Sequence, residues 1–173
     1  SLDPGIDVTE APIDYQAISL TSAGRTAGGS VSGAFTLQNH GTANGTEEVF
    51  WTVYASAGND TLEIGTDAVV DAGVVSPPPT ISVPKGVSFG GLWPITAGPY
   101  PASYYLLVNV SCSEEPAGNT IDNLGEQAVS LDVPDYDVPA VSNPTGSTAT
   151  GGSFTGSFTL RNQGSVAGSK DVT

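Results

Sequence analysis

The chain has 173 residues, with 18 carboxylates against 4 Lys plus Arg for a formal net charge of −14. Its apolar fraction of 38% and mean hydropathy of +0.00 allow a packed core and argue against disorder throughout. So acidic a surface repels phosphate backbones and anionic lipid, which excludes nucleic-acid binding and docking on acidic membranes, and no apolar run of about 18 residues is present to cross a bilayer.

The length gives one domain of ordinary size plus a remainder. Charged residues are only 13%, so polarity comes from Ser, Thr, Asn and Gly more than from ions. The single cysteine, Cys112, cannot staple the chain internally and reads as a core thiol. The chain holds no Met and opens at Ser1, so we expect either that a leader has been removed or that the sequence is an excerpt of a longer polypeptide.

No long segment repeats every 3.6 residues, whereas alternation with Gly and Pro punctuation is frequent, so every element is expected to be a strand. The first lies at residues 13–20. Residues 30–39 follow, with Val31, Gly33, Phe35 and Leu37 on one face. Residues 48–56 place Val49, Trp51, Val53 and Ala55 inward, and Trp51 takes the place of a sandwich's core tryptophan. Short strands are expected at 61–64 and 68–75. Pro77, Pro78 and Pro79 then interrupt the sheet, because proline cannot donate to a ladder. Strands at 81–83 and 87–93 come next. Tyr104, Leu106, Val108, Val110 and Cys112 share a face of the following strand, and residues 127–133 close the set with Val129, Leu131 and Val133 inward. Seven to nine strands with turns every 8–12 residues or so predict an immunoglobulin-like antiparallel β-sandwich. Of the remaining aromatics, the alternation turns Tyr15, Phe50, Tyr54, Tyr100 and Tyr105 outward.

An internal repeat organises the chain. Residues 28–45 read GGSVSGAFTLQNHGTANG and residues 151–168 read GGSFTGSFTLRNQGSVAG, identical at 10 of 18 positions at a constant offset of 123. The signature pairs Gly28 with Gly151, Gly29 with Gly152, Phe35 with Phe158, Leu37 with Leu160, Asn39 with Asn162 and Gly41 with Gly164. Asp14-Tyr15 recurs as Asp135-Tyr136, with a two-residue insertion following, and Ser1-Leu2-Asp3 recurs as Ser130-Leu131-Asp132. A unit of about 120 residues is too long for a solenoid repeat and suits beads that each have a core. The expected division is 1–10 as the tail of a preceding repeat or a linker arm, 11–133 as a complete domain, and 134–173 as the opening strands of an incomplete one. Val133-Pro134-Asp135 is the expected linker. The last piece cannot bury Phe154, Phe158, Leu160 and Val166 on its own.

The lead-in Gly28-Gly29-Ser30, the Phe35-Thr36-Leu37 strand and the turn from Asn39 to Gly41 resemble the opening of a cell-surface module, the cell-adhesion-related domain found in bacteria (CARDB). Tyr104-Tyr105-Leu106, the loop between Asn119 and Asn123 and the closing strand are similar too. The resemblance implies an immunoglobulin-like fold repeated in tandem on secreted proteins, and it implies no chemistry.

The chemistry-bearing residues are few. His40, the only histidine, has Gln163 as its counterpart, and an amide cannot replace a general base, so His40 is a turn residue. One His and one Cys cannot build an ordinary zinc site. No GxSxG, P-loop or GxGxxG motif occurs. No cofactor is expected; Glu114, Glu115, Asp122 and Glu126 flank one turn and are the candidate oxygen ligands if calcium binds. Three sequons mark Asn44, Asn59 and Asn109 as candidate acceptors for surface glycans, and residues 76–80 are candidates for O-linked sugar.

The expected function is therefore a non-enzymatic, structural or adhesive segment of an extracellular repeat protein on a bacterial cell surface. It would stack end to end into a stalk or filament, with adjacent repeats or further copies as partners and with strand complementation as one assembly route. The alternative is a calcium- or carbohydrate-binding accessory module of a larger secreted protein or hydrolase.

Overall fold

The computed structural model describes residues 12–24, 26, 28–94, 104–116, 124–142, 145–146 and 149–168. The chain divides into two compact units, Ser1–Leu131 and Asp132–Thr173.

The first unit is built from seven strands: β1 (Tyr15–Ala23), β2 (Ser30–Asn39), β3 (Val49–Ala57), β4 (Ala68–Val75), β5 (Lys85–Leu92), β6 (Tyr104–Ser111) and β7 (Leu124–Val129). They form two antiparallel sheets, in the orders β1-β2-β5 and β4-β3-β6-β7. Both sheets face one core, which makes the unit an immunoglobulin-like β-sandwich. Alternation sets the inward faces. Val31, Phe35 and Leu37 of β2, Val49, Trp51 and Val53 of β3, and Leu106, Val108 and Val110 of β6 are all buried in the same cluster. Across the sandwich the Phe35 and Trp51 rings meet edge to face at 5.7 Å and 70°, a geometry that adds to their area burial. Trp93 plugs one end. It is 1% exposed, its indole N–H donates to Gly24 O at 2.8 Å, and its backbone N–H donates to Gly29 O at 2.9 Å.

The sheet edges are managed. β1 runs along β7 and β4 along β5. Where β4 meets β5, the Asp71 carboxylate accepts from Gly90 N at 2.8 Å, occupying a donor that an edge strand would otherwise present. In β1 a bulge between Ile18 and Thr21 shifts the register against β2, with Ser19 at φ 55°.

Three expectations fail here. Residues 61–64 form a turn and not a strand: Asn59 Oδ1 caps Thr61 N at 3.1 Å, and Glu63 N donates to Asp67 Oδ2 at 2.8 Å, so side chains take the donors a ladder would need. Residues 81–83 contribute only an isolated Thr80–Val83 bridge, directly after the prolines. Tyr15 is fully buried and not outward: ahead of the bulge it alternates onto the same inward face as Ile13 and Ala17. Phe50 does point outward, at 56% exposure, while Tyr100 lies outside the described residues.

The second unit consists of β8 (Tyr136–Val141), β9 (Thr145–Gly146), β10 (Phe154–Thr155) and β11 (Phe158–Asn162). β8 pairs with β11 and β9 with β10, giving an interrupted antiparallel hairpin. Its register breaks between Thr159 and Arg161, opposite Pro139, which has no N–H to offer the ladder. Val133-Pro134-Asp135, expected as a linker, packs under Gly164 at the entry to this hairpin.

Candidate functional site

The most developed polar constellation is a turn built on asparagine, and it occurs twice. In the first unit Asn39 is 1% exposed. Its Oδ1 accepts from Gly41 N at 2.9 Å and Asp14 N at 3.3 Å, and its Nδ2 donates to Ala43 O at 2.9 Å. His40 N donates to Asp14 O at 2.7 Å. In the second unit Asn162 Oδ1 accepts from Gly164 N and Asp135 N, both at 2.9 Å, Nδ2 donates to Val166 O at 2.7 Å, and Gln163 N donates to Asp135 O at 2.6 Å. One side chain thus clamps the outgoing turn to the incoming strand, as expected where an amide mimics backbone in an Asx turn.

The surroundings recur as well. Tyr15 pairs with Asn39, and Tyr136 with Asn162. A Cβ on Gly41 would strike Pro12 O, and one on Gly164 would strike Val133 O. A Cβ on Gly45 would strike the Tyr15 hydroxyl, and one on Gly168 the Tyr136 hydroxyl. Before the inner strand, Gly28 and Gly151 hold φ of 69° and 79°, and Gly29 N and Gly152 N donate to Thr26 O and Ala149 O, each at 2.8 Å.

Of the candidate calcium ligands, Glu114, Glu115 and Glu126 lie among the described residues, and the first two are engaged by backbone donors. Glu114 latches the turn after Gly45: its carboxylate accepts from Thr46 N at 2.7 Å, Glu47 N at 2.9 Å and the Thr46 hydroxyl at 2.8 Å. Those donors, the Glu47 and Thr46 amides foremost, hold the Glu114 carboxyl below the usual carboxylate range. Glu115 is buried, and its Oε1 accepts from Tyr15 N at 3.2 Å. Glu126 stands exposed on β7 opposite Leu107, and Asp122 lies outside the described residues. Among the described residues no group of three or more His, Cys, Asp or Glu is placed to hold a metal ion.

Tyr15 sits at the centre of this end of the sandwich. Burial, followed by the nearby Cys112 and Glu114, pushes its phenol up to about 12. Cys112 is half-buried against the core, and burial raises its thiol. The structural roles of Glu114, Glu115 and Trp93 escaped the sequence reading, which offered the two glutamates as oxygen ligands and Trp93 as the end of a strand. The pairing of Glu115 with Tyr15 spans 100 residues and left no local pattern.

The sequons differ in their surroundings. Asn44 Oδ1 accepts from Ile81 N at 3.0 Å, while the Thr46 hydroxyl of the same sequon is held by Glu114. Asn59 is exposed, with Oδ1 turned toward Thr61 N and the Ser56 hydroxyl. Asn109 is half-buried on β6, opposite Thr52. Beside Asn44 lies a cleft of about 550 Å³ lined by Gly45, Thr46, Pro77, Pro78, Val83 and Lys85, whose Lys85 ammonium is engaged by Pro77 O. His40 is exposed and takes part through its backbone. No helix of the described residues is long and apolar enough to cross a membrane.

No protein-family model and no curated protein matches the chain. Solved structures similar to it include β-glucosidase 3B from Thermotoga neapolitana in complex with glucose, 14% identical, covering 68% of this chain and 16% of that one with a TM-score of 0.41. A β-glucosidase from Listeria innocua in complex with isofagomine is 11% identical, covering 69% of this chain and 16% of that one, also at 0.41. The chain therefore spans only about a sixth of the length of these enzymes. It is also similar in fold to the CARDB domain of a Pyrococcus furiosus protein in complex with di-metal ions, at 16% identity and a TM-score of 0.48 over 76% of this chain and 98% of that domain.

Proposed function

We propose that this chain is a non-catalytic, structural or adhesive segment of an extracellular repeat protein, in which β-sandwiches stack end to end at a cell surface. The observation carrying the reading is the asparagine turn. The same residue types make the same side-chain hydrogen bonds at Asn39 and at Asn162, 123 positions apart. Two units with one design, in one chain, are what an array of beads requires.

The use of the titratable groups supports the same reading. Glu114, Glu115 and Asp71 accept from backbone N–H groups, so their carboxylates serve the fold. An acidic surface with few cations keeps neighbouring units apart except where they are built to meet. Adjacent repeats or further copies are the partners, and Asn44 and Asn59 are the exposed ones of the three candidate glycan acceptors.

The intact mass of the native polypeptide, together with electron microscopy of native material, tests the proposal. A mass of several repeat lengths and a beaded or filamentous particle are expected. A native mass near 17.4 kDa in a monodisperse monomer would sink it.

A further inference from the structure

The second unit is a hairpin with an apolar face and a bare edge. Phe158 is 66% exposed, Leu160 43%, Val138 50% and Val141 72%. Among the described residues no strand pairs with the outer edge of β11.

The first unit shows what such a hairpin is built to carry. There the outer edge of β2 pairs with β5, Phe35 opposite Val87 and Leu37 opposite Lys85. The inward face of β2 is covered by the opposing sheet, where Phe35 meets Trp51. Two kinds of cover are therefore needed, an edge strand and a sheet. One donated strand supplies the first and leaves the apolar face of Phe158 and Leu160 in water.

The turn leaving the hairpin says where the cover comes from. In the first unit the clamp at Asn39 and the Tyr15–Gly45 contact aim the chain across the sandwich into β3. In the second unit Asn162 makes the same clamp, and Gly168 lies under the Tyr136 hydroxyl as Gly45 lies under that of Tyr15. The chain at Gly168 is thus already aimed at the place of the opposing sheet. In sequence, the same offset of 123 sets Val172 at the position of Val49, the first core residue of β3.

We infer that the β8–β11 hairpin is a docking platform for five strands of the β3–β7 kind, supplied in cis by polypeptide that follows it, and not for a single strand donated by a neighbour. This rests on the repeat reading above. In cis the encounter is intramolecular and the effective concentration high, which suits a two-stranded hairpin too weak to recruit a free partner.

The test extends the chain by joining residues 46–131 of its own sequence after Gly168 and reads amide hydrogen exchange along β11. Exchange at the outer edge is expected to slow by on the order of 100-fold or more relative to the unextended chain, with a second cooperative unfolding transition. A peptide of residues 85–92 added to the unextended chain is expected to leave β11 exchange unchanged. Fast exchange in a folded extended chain would overturn the inference, as would full protection by the peptide alone. If the extended chain does not fold, native polypeptide decides: where its mass shows that it runs on past Thr173, slow exchange along β11 supports the platform and fast exchange overturns it. A native mass near 17.4 kDa would overturn both the array reading and this inference, whereas fast exchange along β11 in a native polypeptide of several repeat lengths would overturn this inference alone, so the two failures are distinct.

Discussion

The two hairpins of this chain share their local hydrogen bonds and differ in burial. Asn39 and Asn162 make the same contacts, yet Tyr15 is 0% exposed and Tyr136 39%, Phe35 2% and Phe158 66%, Leu37 0% and Leu160 43%. The turn is encoded within a few residues, because the Asn side chain carries both an acceptor and a donor and Gly41 or Gly164 admits the crossing backbone. Burial is not encoded there. It comes from β3, β5 and β6, which lie outside the hairpin in sequence. Local chemistry therefore prepares a hairpin, and distant strands decide whether it becomes half of a core.

That contrast can be broken at the aromatic pair first. Phe35→Ala is expected to cost about 3–5 kcal/mol of unfolding free energy in denaturant titration. Phe158→Ala in the same chain is expected to stay within about 0.5 kcal/mol. Equal losses would mean that the second hairpin is covered. The clamp gives the next effect. Asn39→Ala leaves buried donors and acceptors unmatched and is expected to cost about 1–3 kcal/mol. Asn162→Ala should leave the global midpoint in place while speeding amide exchange at Gly164.

Tyr15 sharpens the comparison through pH. Its folded phenol titrates near 12 against an ordinary 10.0. Its stabilising contribution is complete below the ordinary value, and it is lost as pH rises through that window, because the unfolded chain ionises first. Thermal midpoints should fall over this range, and Tyr15→Phe should flatten that part of the decline. The smallest effect is local. Glu114 is held below the ordinary carboxylate range, so its latch is complete above that range and lost as pH falls through the lowered value. Faster exchange of the Thr46 and Glu47 amides in acid is expected, and Glu114→Gln should weaken the latch at neutral pH.

Much of the sandwich was readable because alternation marks buried faces directly. Val49, Trp51 and Val53 on β3 and Leu106, Val108 and Val110 on β6 stand out in sequence and lie in the core. Residues 61–64 and 81–83 looked like strands because they contain apolar residues, but side-chain caps and the neighbouring prolines decide them, and neither leaves a periodic trace. Tyr15 was legible but misplaced: ahead of the bulge it shares the inward face of Ile13 and Ala17. The acids were the least legible. Glu114 and Glu115 are adjacent in sequence, but one binds the turn at Thr46 and the other binds Tyr15 N, and only the folded chain brings those partners close.

The Asp71–Gly90 bond has a bearing on how such units could live side by side. A molecule made of near-copies places compatible strand margins at high local density, where the hazard is cross-pairing between neighbours during synthesis. A carboxylate seated on the exposed donor of β5 puts negative charge at that seam, so an intruding strand would have to displace a fixed anion before it could zip on. The first unit is thereby closed to recruitment at that seam, while the hairpin of the second unit carries no such guard on its bare margin among the described residues.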